Sequence, residues 1–403
     1  MAANNTATTL NGLFKEVYAD KLENLIPDGI KLLQRIPFAK KQQTLGNLYH
    51  QPVVLGQEHG ITFASSTEDA FTLNDPIAGQ IQDAQVRGNA LVLRSAIGYK
   101  AASASMSGSA AFEQATKFLV GNMLRSVTKK LEIEMLYGQV GYGVVSATGA
   151  SSITISAAEW APGIWAGAEN MPIEIRNAAG NTSRGNAVVV SVNFDTKVIT
   201  LDALPGGTVA TDVVWHKGAY NKEFAGIHKI ITNTGVLFGI DASVYALFKG
   251  NEYSAGSAAL SFAKIQEAIA RAVEKGLDQD VVVLVNPNSW SDLLTDQAAL
   301  RMYDSSYSSS QMENGARQLK FHGQNGMIEI VPSIYCKQGY AYVLCIDDMV
   351  RIGSSDVTFK RPGKEGEFFR ELENSAGYEL RCYCDQALFT HSPAKNVLIK
   401  DIV

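Results

Sequence analysis

Four cysteines in the last fifth of the chain are the side chains best suited by type to hold a metal ion or to form a redox pair. They are Cys336, Cys345, Cys382 and Cys384. Zinc sites of the finger type use pairs of cysteines or histidines separated by about two to four residues, and this pattern does not occur here. In a strand, Cys382 and Cys384 would point to the same face. We therefore expect thiols that line a buried face as small apolar groups. A thiol-metal protein or an enzyme that uses these cysteines is the alternative from a different class.

The other residue types that carry chemistry are dispersed. Six histidines occur without the spacing of a metal hydrolase: His50, His59, His216, His228, His322 and His391. Neither the Gly-x-Ser-x-Gly elbow of a hydrolase nor the GxxxxGK[ST] loop of a nucleotide-binding protein is present. Gly138, Gly141 and Gly143 match a phosphate-binding loop only weakly, because they close a predicted helix instead of opening one. The sequence therefore predicts a scaffold with no catalytic residue, no metal ligand and no cofactor.

The composition favours a protein whose surface is covered by partners. Charged residues make up 19% of the 403 residues, below the roughly 25% of a typical soluble protein. The formal net charge of -5 argues against a surface that grips phosphates strongly. No basic leader with an apolar stretch opens the sequence, and the densest apolar run, at 281–285, is far shorter than the roughly 18 residues of a membrane span. We expect a soluble protein made inside the cell and no membrane partner.

One long helix, predicted over 112–138, dominates the elements that position these residues. Its apolar residues recur at steps of three and four: Val120, Leu124, Val127, Leu131 and Met135. This spacing predicts one buried stripe, with charged residues such as Glu132 off that line. Gly121 lies inside the helix at a cost of about 1 kcal/mol relative to alanine, so we expect a close crossing or a bend there. The predicted packing positions are Gly121, Leu124, Val127 and Leu131.

The order of predicted elements divides the chain into six segments. The first is an arm that has too few apolar residues for a core of its own and must lie on another surface. The fourth, rich in short alternating strands, reads as a small inserted β domain. The segments are 1–45, the arm; 46–105, an extended β-ribbon; 106–144, the long helix; 145–220, the β-rich insertion; 221–350, helices with buried strands; and 351–403, the closing strands.

The ribbon segment is unusually acidic. Two predicted strands, LGNLYHQPVVL and ALVLRSAIGYKA, flank a polar stretch, and residues 51–85 contain no lysine or arginine. The acids there are Glu58, Glu68, Asp69, Asp75 and Asp83. Our hypothesis is that this ribbon meets the basic stretch FKRPGKEGEFFR of a neighbouring copy, where complementary charge would set the register of the contact. The candidate interface residues are Glu58, Glu68, Asp69, Lys360, Arg361 and Lys364.

Taken in order, these segments resemble the major capsid protein of tailed bacteriophages of the Hong Kong 97 type. The ribbon followed directly by a long helix carries the resemblance, together with three later stretches. These are EFAGIHKIITNTGVLFGID, SFAKIQEAIARAVEKGLDQDVVVLVNPNSWSDLL and EIVPSIYCKQGYAYVLCIDDMVRIG. The resemblance covers nearly the whole chain and implies an α+β fold. In that fold the six segments are an N-terminal arm, an E-loop, the spine helix of a peripheral domain, a β-rich insertion domain, an axial domain with returning peripheral strands, and C-terminal peripheral-domain strands.

The resemblance also implies a function and partners. Hexamers and pentamers of the subunit would close into an icosahedral shell around double-stranded DNA, with the ribbon over one neighbour and the arm along another. Scaffolding, portal and decoration proteins are the implied partners. The implied location is the virion, after assembly in the cytoplasm of the bacterial host. An encapsulin-type nanocompartment shell protein shares the fold and is the nearest alternative, and a phage tail or tube protein is a more distant one.

Overall fold

The structure is a computed structural model, and it describes residues 29–39, 48–100, 115–295, 319–324, 326–360, 369–373 and 375–403. The helices within these ranges are α1 (Leu32–Arg35), α2 (Ala115–Tyr137), α3 (Pro162–Trp165), α4 (Ile227–Thr232), α5 (Phe262–Val273) and α6 (Pro287–Thr295). The strands of the first half are β1 (Tyr49–Gly56), β2 (Gln80–Val86), β3 (Asn89–Gly98), β4 (Gly143–Thr148), β5 (Ser152–Ile155), β6 (Pro172–Arg176), β7 (Ser183–Asn193), β8 (Val198–Leu201) and β9 (Val213–His216). Those of the second half are β10 (Val236–Leu237), β11 (Ile240–Asp241), β12 (Asn251–Ala258), β13 (Val281–Val285), β14 (Leu319–His322), β15 (Met327–Pro332), β16 (Ala341–Leu344), β17 (Met349–Thr358), β18 (Phe369–Glu371), β19 (Gly377–Thr390) and β20 (Val397–Ile402).

The long helix α2 lies where the sequence predicts it, although residues 112–114 of the predicted range fall outside the described residues. Its first half buries one side, on which Met123 and Val127 lie. From Leu131 to Tyr137 every residue is buried. The expectation of a single buried stripe is therefore wrong for the second half. The reason is that α1, α4 and the strands β17 and β19 all pack around it.

A mixed sheet forms the core of the later part of the chain. Its strand order within the described residues is β12-β20-β16-β13-β15-β14. The central strand β13 pairs parallel with β15 and antiparallel with β16. Ser261 caps the N-terminus of helix α5, where its side chain accepts a hydrogen bond from the backbone N–H of Lys264, and the apolar face of the helix packs on this sheet. Helix α5 and the buried strand β13 agree with the helices and buried strands expected in 221–350.

The second sheet corrects the predicted ribbon. Strand β19 pairs with β17 and β18, and it also pairs with β3 along the whole length of β3. The two ribbon strands are instead β1 and β2, so the expectation that ALVLRSAIGYKA forms part of the ribbon is wrong. The polar sequence QIQDAQV of β2 carries too little apolar alternation to identify it as a strand. The apolar face of β3 marks a strand that needs a larger sheet to cover it.

A closed antiparallel barrel occupies residues 143–216, with the strand order β4-β5-β8-β7-β6-β9. The turn after β7 is closed by Asn193, whose side-chain oxygen accepts the backbone N–H groups of Asp195 and Thr196. The two ends of the barrel meet at α2. The backbone N–H of Gly226 donates to the carbonyl of Gly138 at 3.0 Å. A Cβ on Gly226 would lie 2.6 Å from the Gly138 nitrogen, so glycine permits this close crossing.

Candidate functional site

The ribbon of β1 and β2 stands on a braced base. The backbone N–H of Gln85 donates to the carbonyl of Phe238 at 2.8 Å. The side-chain amide of Gln82 donates to the hydroxyl of Tyr245 at 3.1 Å. Both acceptors lie in or beside the hairpin of β10 and β11. The hairpin therefore fixes the direction in which the ribbon leaves the subunit.

An aromatic cluster adds to this base. The ring of Phe389 on β19 lies 6.0 Å from Tyr49 and 5.5 Å from Phe238, with edge-to-face geometry in both pairs. His391 packs against the same ring at 5.1 Å. Because Phe389 is fully buried, the ribbon begins from a rigid part of the second sheet.

Beyond its base, the ribbon carries large apolar side chains that the described residues leave exposed. Phe63 is 89% exposed and Leu73 is 74% exposed. Val54 and Ile81 are direct cross-strand partners, and both are about two-thirds exposed. The exposed apolar residues of this segment are Val54, Ile61, Phe63, Phe71, Leu73, Ile77 and Ile81. Exposed apolar groups concentrated in one segment are typical of a surface that another molecule covers. Sequence reasoning missed these residues, because they follow neither helical nor strand period.

The acidic candidates of the ribbon are exposed as well. Glu58, Glu68 and Asp69 all point to solvent in the described subunit. Glu68 also accepts the backbone N–H of Ser65 at 2.9 Å, which closes a turn near the tip. Lys360 is exposed just after the end of β17. Arg361 and Lys364 lie outside the described residues, so the proposed charge pairing stays a prediction.

The predicted packing positions of α2 divide into two groups. Val127 and Leu131 are buried, each 1% exposed. Leu124 is 37% exposed, so its assignment to the buried stripe is wrong within the subunit; Met123 lies on the buried side instead. Apart from the neighbouring residues and backbone of the helix itself, no heavy atom of the described residues lies within 4 Å of a Cβ built on Gly121. The close crossing expected at Gly121 is therefore not found within the described subunit.

Residues 29–39 of the arm lie on their own subunit. The carboxylate of Glu132 on α2 accepts the backbone N–H groups of Lys31, Leu32 and Leu33, at 2.8 to 2.9 Å. Arg35 forms a two-pronged ion pair with Glu329, with N–O distances of 2.7 and 3.0 Å. The expectation that the arm needs another surface is confirmed for this part. Residues 1–28 and 40–45 of the predicted arm lie outside the described residues.

The four cysteines are buried and free, as the sequence predicts for small apolar groups. Burial raises the pKa of Cys345 and of Cys382 to about 11, which disfavours the thiolate that metal binding and nucleophilic attack require. Within the described residues, no cluster of three or more histidine, cysteine or acidic side chains is arranged to hold a metal ion. No helix in the described ranges has the length and apolar character needed to cross a membrane.

Comparison with known proteins shows similarity at the level of the fold. No protein-family model and no curated protein matches the chain. Solved structures do match over essentially the full length. The capsid asymmetric unit of cyanophage A-1(L) aligns over 99% of both chains at 12% identity, with a TM-score of 0.59. The capsid of the native GTA particle aligns over 100% of both chains at 10% identity, with a TM-score of 0.54. The capsid of cyanophage P-SCSP1u aligns over 99% of this chain and 96% of that chain at 10% identity, with a TM-score of 0.51. The chain therefore has the fold of a tailed-phage capsid subunit, the Hong Kong 97 type of α+β fold expected from the order of its elements.

Proposed function

We propose that this chain is the major capsid subunit of a tailed bacteriophage and that it assembles into an icosahedral shell around double-stranded DNA. The observation that carries the proposal is the ribbon, whose exposed apolar side chains leave the subunit on a rigid base. The full-length similarity in fold to phage capsid subunits supports the same function. The subunit's role is structural, without catalysis.

In this proposal the ribbon of one subunit lies over its neighbour within hexamers and pentamers. Covering Phe63, Phe71 and Leu73 removes apolar surface from water, which is the main source of stability in permanent protein interfaces. The acidic side chains beside them set the register. Glu58, Glu68 and Asp69 face the basic stretch of a neighbour that contains Lys360, Arg361 and Lys364.

The proposed shell also needs an inner surface that does not grip DNA. The net charge of -5 is consistent with packed DNA that slides past the wall instead of binding to it. A scaffolding protein, a portal protein and a decoration protein are the expected partners in the host cytoplasm, and the virion is the final location.

Expression of the full chain followed by negative-stain electron microscopy tests this function. We expect closed shells. Replacing Phe63, Phe71 and Leu73 by serine should leave folded subunits that no longer close into shells, because the replacement removes the apolar contact and keeps the backbone. A matched control replaces Val190 on the barrel, also exposed, by serine.

Two results would contradict the proposal. The first is a wild-type chain that gives only monomers or open rings, and the second is a triple variant that assembles as well as the wild type. Shells that enclose a cargo protein instead of DNA, from a locus without terminase or portal genes, would favour the encapsulin-type alternative.

A further inference from the structure

A buried cluster of charges lies where the barrel joins the spine helix α2. Lys130 and Glu134 stand one turn apart on the helix, and Glu223 comes from the chain that returns from the barrel. The ammonium of Lys130 lies 2.5 Å from a carboxylate oxygen of Glu223 and 2.7 Å from the hydroxyl of Tyr142. Both carboxylates are only 5% exposed.

The same two carboxylates hold the two chain segments that connect the barrel to the subunit. Glu134 accepts the backbone N–H of Phe224, in the returning segment, at 3.1 Å. Glu223 lies against the outgoing segment, where it accepts the backbone N–H of Gln139 at 3.4 Å, and the Gln139 amide donates back to the Glu223 carbonyl at 3.0 Å. The cluster is therefore the joint between barrel and helix.

The joint carries more negative than positive charge when both carboxylates are ionised. Two carboxylates share the single ammonium of Lys130, which leaves one unbalanced charge in a buried place. Among the described residues, no basic side chain other than Lys130 forms an ion pair with either carboxylate. Burial raises the pKa of Tyr142, and also that of Cys384 on β19, to about 12, so both stay neutral near pH 7. Burial, followed by the nearby Lys130 charge, lowers the pKa of His216 on β9.

A water-accessible route to the joint exists. The cluster lines a cavity of about 740 Å³ between α2, β3 and the barrel. The walls of this cavity also carry Arg125, Lys129, Glu169, Lys217 and Lys222. Solvent in the cavity can deliver a proton to Glu134 without unfolding of the subunit.

We propose that Glu134 is a proton-operated latch, which holds the barrel firmly on the spine helix when protonated and loosens the joint when ionised. A protonated Glu134 leaves one cation and one anion in the joint and still accepts the Phe224 N–H through its carbonyl oxygen. An ionised Glu134 lies close to ionised Glu223, and opening the joint to water relieves their repulsion.

The direction of the pH effect follows from the position of Glu134. Burial raises its pKa from 4.5 to about 7, with Glu223 acting in the same sense and Lys130 opposing. Between pH 4.5 and about pH 7, the closed joint thus binds more protons than the open joint. The stabilisation of the closed joint by Glu134 is complete below about pH 4.5 and is lost as the pH rises through about 7. His216, whose pKa is lowered, acts in the opposite sense as the pH falls.

Hydrogen exchange of the full-length protein, read by mass spectrometry and corrected for the intrinsic pH dependence of exchange, tests the latch. For peptides that cover 219–226, we expect opening to increase on the order of tenfold between pH 5.5 and 8.5. Glu134→Gln carries a neutral side chain that accepts the same hydrogen bond, and it should abolish this increase. Peptides from β7 and β8 in the barrel core serve as the internal reference.

Two further variants separate the latch from general effects of charge. Glu169→Gln removes an exposed carboxylate from the same cavity and should leave the wild-type pH dependence intact. Glu223→Gln removes the repulsion and should reduce the dependence strongly, which also provides a test if Glu134→Gln fails to fold. A flat wild-type profile, or a Glu134→Gln profile as steep as the wild type, would overturn the proposal.

Discussion

The carboxylate of Glu132 accepts the backbone N–H of Leu32 at 2.8 Å, across 100 residues of sequence. With its bonds to Lys31 and Leu33, it satisfies three N–H groups at the start of α1, which would otherwise lack partners. One fully buried side chain of the spine helix thus holds the described part of the arm.

Replacement of Glu132 by alanine should release that part of the arm. The Leu32 N–H is buried and costs about 1–3 kcal/mol when it has no partner, whereas those of Lys31 and Leu33 are only partly buried, so we expect a loss of about 1–3 kcal/mol in the free energy of unfolding. Glu132→Gln keeps one acceptor oxygen and should lose less. Chemical denaturation measures both values, and limited proteolysis near residues 29–39 reports release of the arm. Equal stability of the wild type and Glu132→Ala would contradict this role.

Removal of the buried ammonium of Lys337 should destabilise the contact between the barrel and the mixed sheet. This ammonium lies 2.6 Å from a carboxylate oxygen of Glu159 and 3.2 Å from the carbonyl of Gly141. Lys337→Met leaves Glu159 without its cation, which typically costs about 3–5 kcal/mol. Adding Glu159→Gln should recover part of the loss, because no buried charge then remains unpaired. Thermal unfolding of the two single variants and the double variant measures the coupling energy between Lys337 and Glu159. Strictly additive losses of stability would argue against this ion pair.

Because of the ion pair between Lys337 and Glu159, we expect the folded chain to lose stability in acid. Although burial alone would raise it, the Lys337 ammonium holds the pKa of Glu159 below its ordinary value of 4.5. The ionised carboxylate therefore stabilises the folded chain above about pH 4.5, and this contribution is lost as the pH falls through its lowered pKa. Unfolding measured from pH 6 to pH 3 should show a shallower decline for Glu159→Gln than for the wild type. Parallel curves would count against the ion pair as the source.

Charge reversal in the basic stretch should impair assembly and leave the subunit folded. We expect Lys360→Glu with Arg361→Glu to repel the acidic ribbon of the neighbour. Glu68→Lys with Asp69→Lys should restore assembly when combined with that variant, because the pairing is then inverted. Electron microscopy counts the shells, and circular dichroism monitors the fold. Normal shells from the first variant would refute the pairing.

Substitutions at Gly121 distinguish effects on the stability of the isolated subunit from effects on shell assembly. Since no described atom outside the helix's own backbone and the flanking residues lies within 4 Å of an added Cβ, Gly121→Ala should stabilise the isolated subunit by up to about 1 kcal/mol through helix propensity. Gly121→Leu should disturb shell assembly or curvature if a neighbouring subunit crosses the helix there. Unchanged shells from the leucine variant would show that glycine is merely tolerated.

The sequence predicted the elements whose signals are local and periodic. The long helix, the buried strand Val281–Val285 and the burial of the cysteines follow from apolar spacing. It did not predict β2, because four of its seven residues are polar and only Ala84 and Val86 at its base are buried in the core. Nor could it predict that Glu132 and Lys337 are buried, since their partners are distant in sequence and become neighbours only in the folded chain. The exposed apolar residues of the ribbon show no sustained helical or strand period, so their sequence pattern did not mark them.

The short distance between Gly138 and Gly226 has a consequence for how this chain can vary. The 87 residues between them leave and rejoin the subunit where this hydrogen bond joins the two ends, and Glu159, within that span, contacts the mixed sheet through Lys337. A longer, shorter or different closed unit inserted at this point must therefore supply a partner for the buried ammonium of Lys337. The barrel can vary in length and sequence away from this contact, while its two ends and its face on the mixed sheet are constrained.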